Sequence, residues 1–156
     1  MSQKGFERYL FINTSSTETP VWTEVDLARE VTQTREKDEI DSTARATARL
    51  GYKDVEDGLK SFGVEFDSLV PNVGETNAAF TKLESAYETN GSVDVLLAHG
   101  PLNSSPAVFA RRATCKVFGG SESEPLNDNV TVKFTLKAKG KPTLGTVTTG
   151  AFTAAT

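Results

Sequence analysis

PVWTEVDLAREVTQTREKDEIDSTARATAR, running from Pro20 to Arg49, decides how the chain folds, because a short strand pattern passes into a long charged stretch that holds no catalytic constellation. Val21, Thr23 and Val25 alternate with Trp22, Glu24 and Asp26, and a period of two places side chains on opposite faces of a half-buried strand. Glu30 to Thr34 continues with β-branched and polar residues. From Arg35 to Arg49 the one large apolar side chain is Ile40, so this part cannot bury enough surface to fold alone. Two readings fit it. One is a solvated hairpin or loop. The other is an extended arm that docks on a copy of itself, since a self-complementary patch needs charges of both signs.

On the N-terminal side, Phe6 to Ile12 reads as a strand ended by the turn-forming cluster Asn13-Thr14-Ser15-Ser16. On the other side, Gly51 and the acidic run from Asp54 to Gly58 read as the turn back. Phe62, Val64 and Phe66 then alternate with Glu65 and Asp67, the pattern of a core strand. Between Pro71 and Gly91 the period changes. Ala79, Phe80, Leu83, Ala86 and Tyr87 form one helical stripe, with Thr76 or Asn77 as the N-cap and Asn90-Gly91 as a left-handed stop. Strand character returns over Ser92 to Ala98 and over Ala107 to Phe118. In the latter, Phe109, Ala113, Cys115 and Val117 face one way, and Arg111 interrupts them as a bulge or an interface-facing arginine. Gly119-Gly120-Ser121 opens a polar link. From Val130 to Lys137, Val132, Phe134 and Leu136 make a core face. The Thr-, Gly- and Ala-rich segment after Pro142 has little to pack except Val147 and Phe152 and is expected as a mobile tail.

The order of these segments resembles the tail tube (major tail) proteins of siphophage-type bacteriophages. The likeness is carried by the Trp inside Val21-Trp22-Thr23-Glu24-Val25, the Thr-rich Val31 to Thr34, the charged stretch with Asp41-Ser42-Thr43, the strand Leu59 to Asp67 and the closing segment Asn127 to Lys139. It spans roughly Gly5 to Lys139. The resemblance implies a mainly β fold with one α-helix, a β-sandwich or barrel over residues 1–142 with an extended charged loop, followed by a flexible tail over 143–156. It further implies a virion structural protein, assembling as stacked and commonly hexameric rings around a channel through which genome DNA passes without specific binding. Other copies of the chain, tape measure, tail terminator and tail tip proteins are the partners it implies. Subunit contacts are then expected at Arg35, Glu36, Lys37, Asp38, Glu39, Asp41, Arg45, Arg49 and Arg111.

With 156 residues the chain is long enough for one core and too short for a second module of ordinary size. A net charge of -4 argues against a DNA-binding domain that neutralises phosphates with a basic patch. It suits a conduit, because a lumen that lets DNA slide should not hold it. The longest N-terminal apolar run, Tyr9 to Ile12, is too short for a signal-peptide core, and no run approaches the ~20 apolar residues of a spanning helix. The expectation is synthesis in a host cytoplasm with no membrane partner.

Chemistry is hard to build from these residues. His99 is the only histidine and Cys115 the only cysteine, so one chain can assemble neither a zinc site of the usual ligands nor a His-dependent triad, and no disulfide can form within it. His99, beside Gly100-Pro101, reads as an exposed turn residue, and Cys115 as a small buried hydrophobe. The carboxylate runs read as solvated loops, and no glycine run has the spacing of a phosphate cradle. Lys133, Lys137, Lys139 and Lys141 read as an ordinary outer face, or as a surface that meets acidic residues of a neighbouring copy. No catalytic, cofactor or metal residue is expected, and an enzyme is the least supported class. Two other readings stand beside the tail tube: the inner tube of a contractile injection or type VI secretion apparatus, which requires a sheath, and a monomeric β-sandwich binding module.

Overall fold

Alternating burial and antiparallel pairing dominate the chain. The computed structural model describes residues 8–15, 18–41, 55–119, 121–124, 126 and 129–155. In chain order the elements are β1 (Tyr9–Asn13), β2 (Trp22–Glu24), β3 (Ala28–Asp41), β4 (Val55–Leu69), α1 (Ala78–Thr89), β5 (Ser92–Ala98), β6 (Val108–Gly119), β7 (Glu122–Ser123), β8 (Thr131–Ala138), β9 (Thr143–Thr148) and β10 (Ala151–Ala154). The main sheet runs β2-β1-β5-β6-β8-β4-β3, with β9 beside β6, β10 beside β9 and β7 beside β8. Among the described residues this is the mainly β, one-helix fold that the sequence predicts.

Strands from both ends of that order share one core. Leu10 and Ile12 of β1, Val93, Val95 and Leu97 of β5, Ala113, Cys115 and Val117 of β6, Val132, Phe134 and Leu136 of β8 and Phe62, Val64 and Phe66 of β4 are all buried in it. The sheet therefore curls around its inner face, and α1 adds Ala79, Leu83 and Ala86. Rings meet inside: Phe134 lies 5.6 Å from Phe66 and 5.9 Å, edge on, from Phe80. Such pairs stabilise by about 1 kcal/mol beyond the area they bury. Tyr87, predicted on the helical stripe, is largely exposed instead. The caps follow the sequence: Asn77 Oδ1 accepts from the Phe80 N–H at 3.0 Å, and Asn90 takes the left-handed conformation with φ 57°.

A smaller cluster forms on the outer face from Phe11, Leu96, Ala98, Ala110 and Val147, flanked by Trp22, Val108 and Phe152. It explains why Val93 to Ala98 is buried residue after residue, since β5 is covered on both faces. It also corrects the expectation of a mobile C-terminal tail. Residues 143–154 form a hairpin whose first strand pairs with β6, Val108 opposite Val147, and whose turn is Thr149-Gly150 with φ 50° and 80°. Two consecutive positive φ values define the two-residue turn that matches the twist of paired strands. A Cβ on Gly145 would run into the Thr153 carbonyl, so glycine permits the close approach there.

Among the described residues the outer face holds one buried acid. Asp94 accepts from Thr114 Oγ1 at 2.9 Å, from an Arg112 Nη at 3.0 Å and from Asn13 Nδ2 at 3.3 Å. Arg112 also stacks over Trp22, 5.2 Å from the ring centre. Burial pushes the Asp94 carboxyl up, but the hydrogen bonds from Thr114, Arg112 and Asn13 and the Arg112 charge outweigh it and hold it below the usual carboxylate range. Asn13 Oδ1 in turn accepts the N–H groups of Ser15 and Val21, tying β1 to the segment that enters β2.

Because the folded carboxyl is held below its unfolded value of about 3.9, its stabilisation is present in full above that value and is lost as pH falls through the folded pKa. Asp94→Asn is expected to cost about 2 kcal/mol near neutral pH, and the gap from the parent chain should close toward pH ~2, as urea titrations at several pH values would reveal. Burial pushes the Cys115 thiol up to about 12, with the Asp94 charge adding to it. Cys115 should therefore resist a thiol reagent in the native state and react on unfolding; rapid native labelling would contradict the core described.

Candidate assembly interface

The strands β3 and β4 are long, but only part of their length lies in the sheet. Along β4, pairing with β8 covers Gly63 to Leu69, while pairing with β3 continues to Val55 opposite Asp41. Burial follows the same boundary. Phe62, Val64, Phe66 and Ser68 are buried, whereas Val55, Glu56, Asp57, Leu59, Lys60 and Ser61 are exposed, as are Thr34 to Ile40 on the facing strand. A two-stranded ribbon thus leaves the body of the domain. At about 3.3 Å per residue its described part reaches roughly 20 Å.

The ribbon is irregular where the sequence anticipates a turn. The register slips between Lys37 opposite Lys60 and Glu39 opposite Asp57, so Asp38 faces two residues of β4. Gly58 sits there, and a Cβ on it would come within 2.7 Å of the Asp38 Cβ. This is a β-bulge, which bends and twists a strand pair. The acidic run predicted as the turn back is therefore already strand from Val55 onward. A second slip, between Arg29 and Thr32, accompanies the positive φ of Glu30, 50°, at the base of the ribbon.

Arg35, Glu36, Lys37, Asp38 and Glu39, predicted as interface residues, lie in a row along the exposed half of β3, and Asp41 ends the strand. Arg45 and Arg49 fall outside the described residues. Lys37 pairs with Asp57 at 3.3 Å, with both side chains solvated, and such a pair contributes little. Like charges meet directly across the strands, Lys37 with Lys60 and Glu39 with Asp57, an arrangement that does not stabilise the ribbon.

Arg111 lies apart from that row and joins it only at Arg35. Its register with β5 and β9 is unbroken, so no bulge forms there. The bulge of β6 falls near its end, between Val117 and Gly119. Arg111 faces the same side as Phe62, its guanidinium 5.3 Å from the ring centre, and donates to Gln33 Oε1 at 3.4 Å. Arg8 and His99 gather beside it. His99 is half-buried with Phe109 edge on at 5.1 Å, which corrects the expectation of an exposed turn. Burial, then the charges of Arg8 and Arg111, lower its pKa. The sequence reading missed this gathering, because Arg8, Arg35, His99 and Arg111 come from four separate segments.

Among the described residues no group of three or more His, Cys, Asp and Glu side chains could hold a metal, and no helix is long and apolar enough to cross a membrane. Of the four lysines read as one face, Lys133 and Lys137 are exposed on β8, and Lys137 lies 5.4 Å from the Phe118 ring; Lys139 and Lys141 follow the strand's end.

No family model and no curated protein matches the sequence. Solved structures do match the fold. A chain of the tail of an empty gene transfer agent (GTA) particle, determined with C6 symmetry, superposes with a TM-score of 0.74 at 9% identity, covering 98% of this chain and all of that one. The SPP1 tail tube gives a TM-score of 0.76 at 10% identity, over 96% of this chain and 82% of its own. A chain of the sheath-tube complex of an extracellular contractile injection system, PVC, gives 0.62 at 12% identity, over 94% and 93%. The curled antiparallel sheet with one helix and a projecting ribbon is thus the fold of phage tail tube proteins.

Proposed function

We propose that the chain is a structural subunit that polymerises into the tube of a virus-like tail. The observation that carries this reading is the ribbon formed by β3 and β4, which extends past the last residue that β8 can pair and has no core of its own. A two-stranded ribbon in water is marginal by itself and becomes useful when a neighbour covers it. On this reading identical copies form closed rings, hexameric as in the C6 tail whose fold the chain shares, and the rings stack into a conduit for DNA. The role is mechanical rather than enzymatic. The chain is made in the host cytoplasm, ends up in the virion tail, and meets tape measure, terminator and tip proteins at the ends of the tube.

A second reading rests on the likeness to the injection-system tube, in which the same subunit lines a contractile device. A sheath protein that co-purifies with the assembled tube distinguishes the two.

Negative-stain microscopy of the purified chain over a series of concentrations and salt strengths tests the proposal. Rings or tubes with a central hole are expected. Replacing residues 38–59 by Asn-Gly joins Lys37 to Lys60, which already face each other, through a two-residue turn. That shortened chain should keep its Tm within about 5 °C of the parent and form no tubes. Tubes of normal yield from it would remove the ribbon from the mechanism, and a parent chain that stays monomeric throughout would favour an isolated binding module.

A further inference from the structure

The curled sheet does not close. Between β1 and β3 it leaves a cleft of about 480 Å³, lined on one side by Arg8, Tyr9 and Leu10 and on the other by Ala28, Glu30, Val31 and Gln33, so that its one lining carboxylate among the described residues, Glu30, sits on the β3 side. The cleft opens into a recess of about 190 Å³ where Arg8, Arg35 and Arg111 converge with His99. Among the described residues that line this recess none is a carboxylate. Its rim is apolar: Phe109 is 41% exposed, and Leu144, opposite Arg111 in the strand register, is 45% exposed. Gathered arginines beside exposed aromatic and aliphatic side chains have the composition of a protein-docking centre rather than of a site for a free anion.

We propose, building on the assembly reading above, that this mouth receives carboxylates of a second copy of the chain, supplied by Glu84 and Glu88 of its α1 and Glu122 of its β7. The two patches are complementary in charge and lie far apart on one subunit. Arg111 is near the start of β6. Glu122 pairs with Val132, which lies beyond the Gly119 end of β6 along β8. The path between them is about 30 Å at the usual rise per residue. Patches of opposite charge set this far apart along the sheet are suited to joining copies head to tail, the contact that generates rings and stacks.

Each patch gathers like charges. Burial, followed by the charges of Arg35 and Arg8, lowers the pKa of Arg111, while burial, followed by the charges of Glu122 and Glu88, raises that of Glu84. Glu84 and Glu88, four residues apart, share one face of the helix. The competing occupant is a neighbour's ribbon. Its described acids, among them Asp38, Glu39 and Asp57, alternate with Lys37 and Lys60, so the ribbon would carry cations into a recess already cationic.

Charge reversal in two chains tests the match. One carries Arg8→Glu and Arg35→Glu, both at exposed positions; the other carries Glu84→Arg and Glu88→Arg. Sedimentation velocity should show self-association of each weakened roughly tenfold or more relative to the parent, and an equimolar mixture of the two should recover it, because each then offers what the other lacks. Cys115 remaining unreactive in both confirms that they fold, and Arg111→Gln serves as a milder probe of the same mouth. If the parent associates and the first chain fails while the second associates normally, another occupant fills the mouth and the pairing is overturned. Failure of the mixture to recover overturns it as well. In either case the tube reading stands, because the parent assembles; a parent that never associates overturns both.

Discussion

A strand edge can hold one hydrogen-bonded neighbour at each position, and the division of β6 follows from that constraint. One edge of β6 pairs with β5 over Ala110 to Lys116. The other is shared in turn: Val108 to Arg112 pairs with β9, and Cys115 to Gly119 pairs with β8. Two different strands leaving the same edge must diverge, so the β8-β4-β3 half bends away from the β9-β10 hairpin. That divergence lets one face of the sheet enclose the main core while the other holds the small cluster around Leu96 and Val147. Ala113 and Cys115, small side chains inside the bend, let the layers approach without the voids that larger neighbours would otherwise leave.

The same curvature determines what remains at the open seam. β3 ends the strand order, and the β1 side of the sheet approaches it without pairing, which leaves a cleft where a closed barrel would have hydrogen bonds. Edge strands invite addition, and charged side chains and bulges are the usual means of blunting them. β3 has both: the run Arg35 to Glu39 and register slips at two points. The features that keep a free subunit from pairing indiscriminately are therefore the same ones that would make a chosen partner specific.

Much of this was legible in the sequence, and the exceptions have physical reasons. Ser92 to Ala98 was readable because β-branched and apolar residues bounded by Gly91 and Gly100 leave little alternative, and α1 because Asn77 and Asn90 are caps with a known mechanism. The hairpin over 143–154 was not, since its turn uses Thr149-Gly150 rather than Asn-Gly and its first strand offers only Val147 to the interior. The acidic run at Asp57-Gly58 looked like a turn because glycine there serves a bulge instead. Arg111 was singled out correctly as an interruption of a buried face, but the cause is tertiary: Phe62 and Gln33, from two other strands, accommodate it. The cationic recess was invisible for the same reason, being made only when four segments meet.

The ribbon places a thermodynamic condition on assembly. Ordering a residue's backbone costs on the order of 1 kcal/mol, and here Lys37 faces Lys60, Glu39 faces Asp57, and the large apolar side chains Ile40, Val55 and Leu59 remain about half or more exposed. Little within the subunit offsets that cost, so a proposed docking step must supply it, and a single contact will be weak. In a closed ring each copy donates and receives once, and stacking adds further contacts between copies already held near one another, so weak contacts combine through effective concentration. A tube built this way holds together only when many copies engage at once, so its formation should depend steeply on the concentration of the chain.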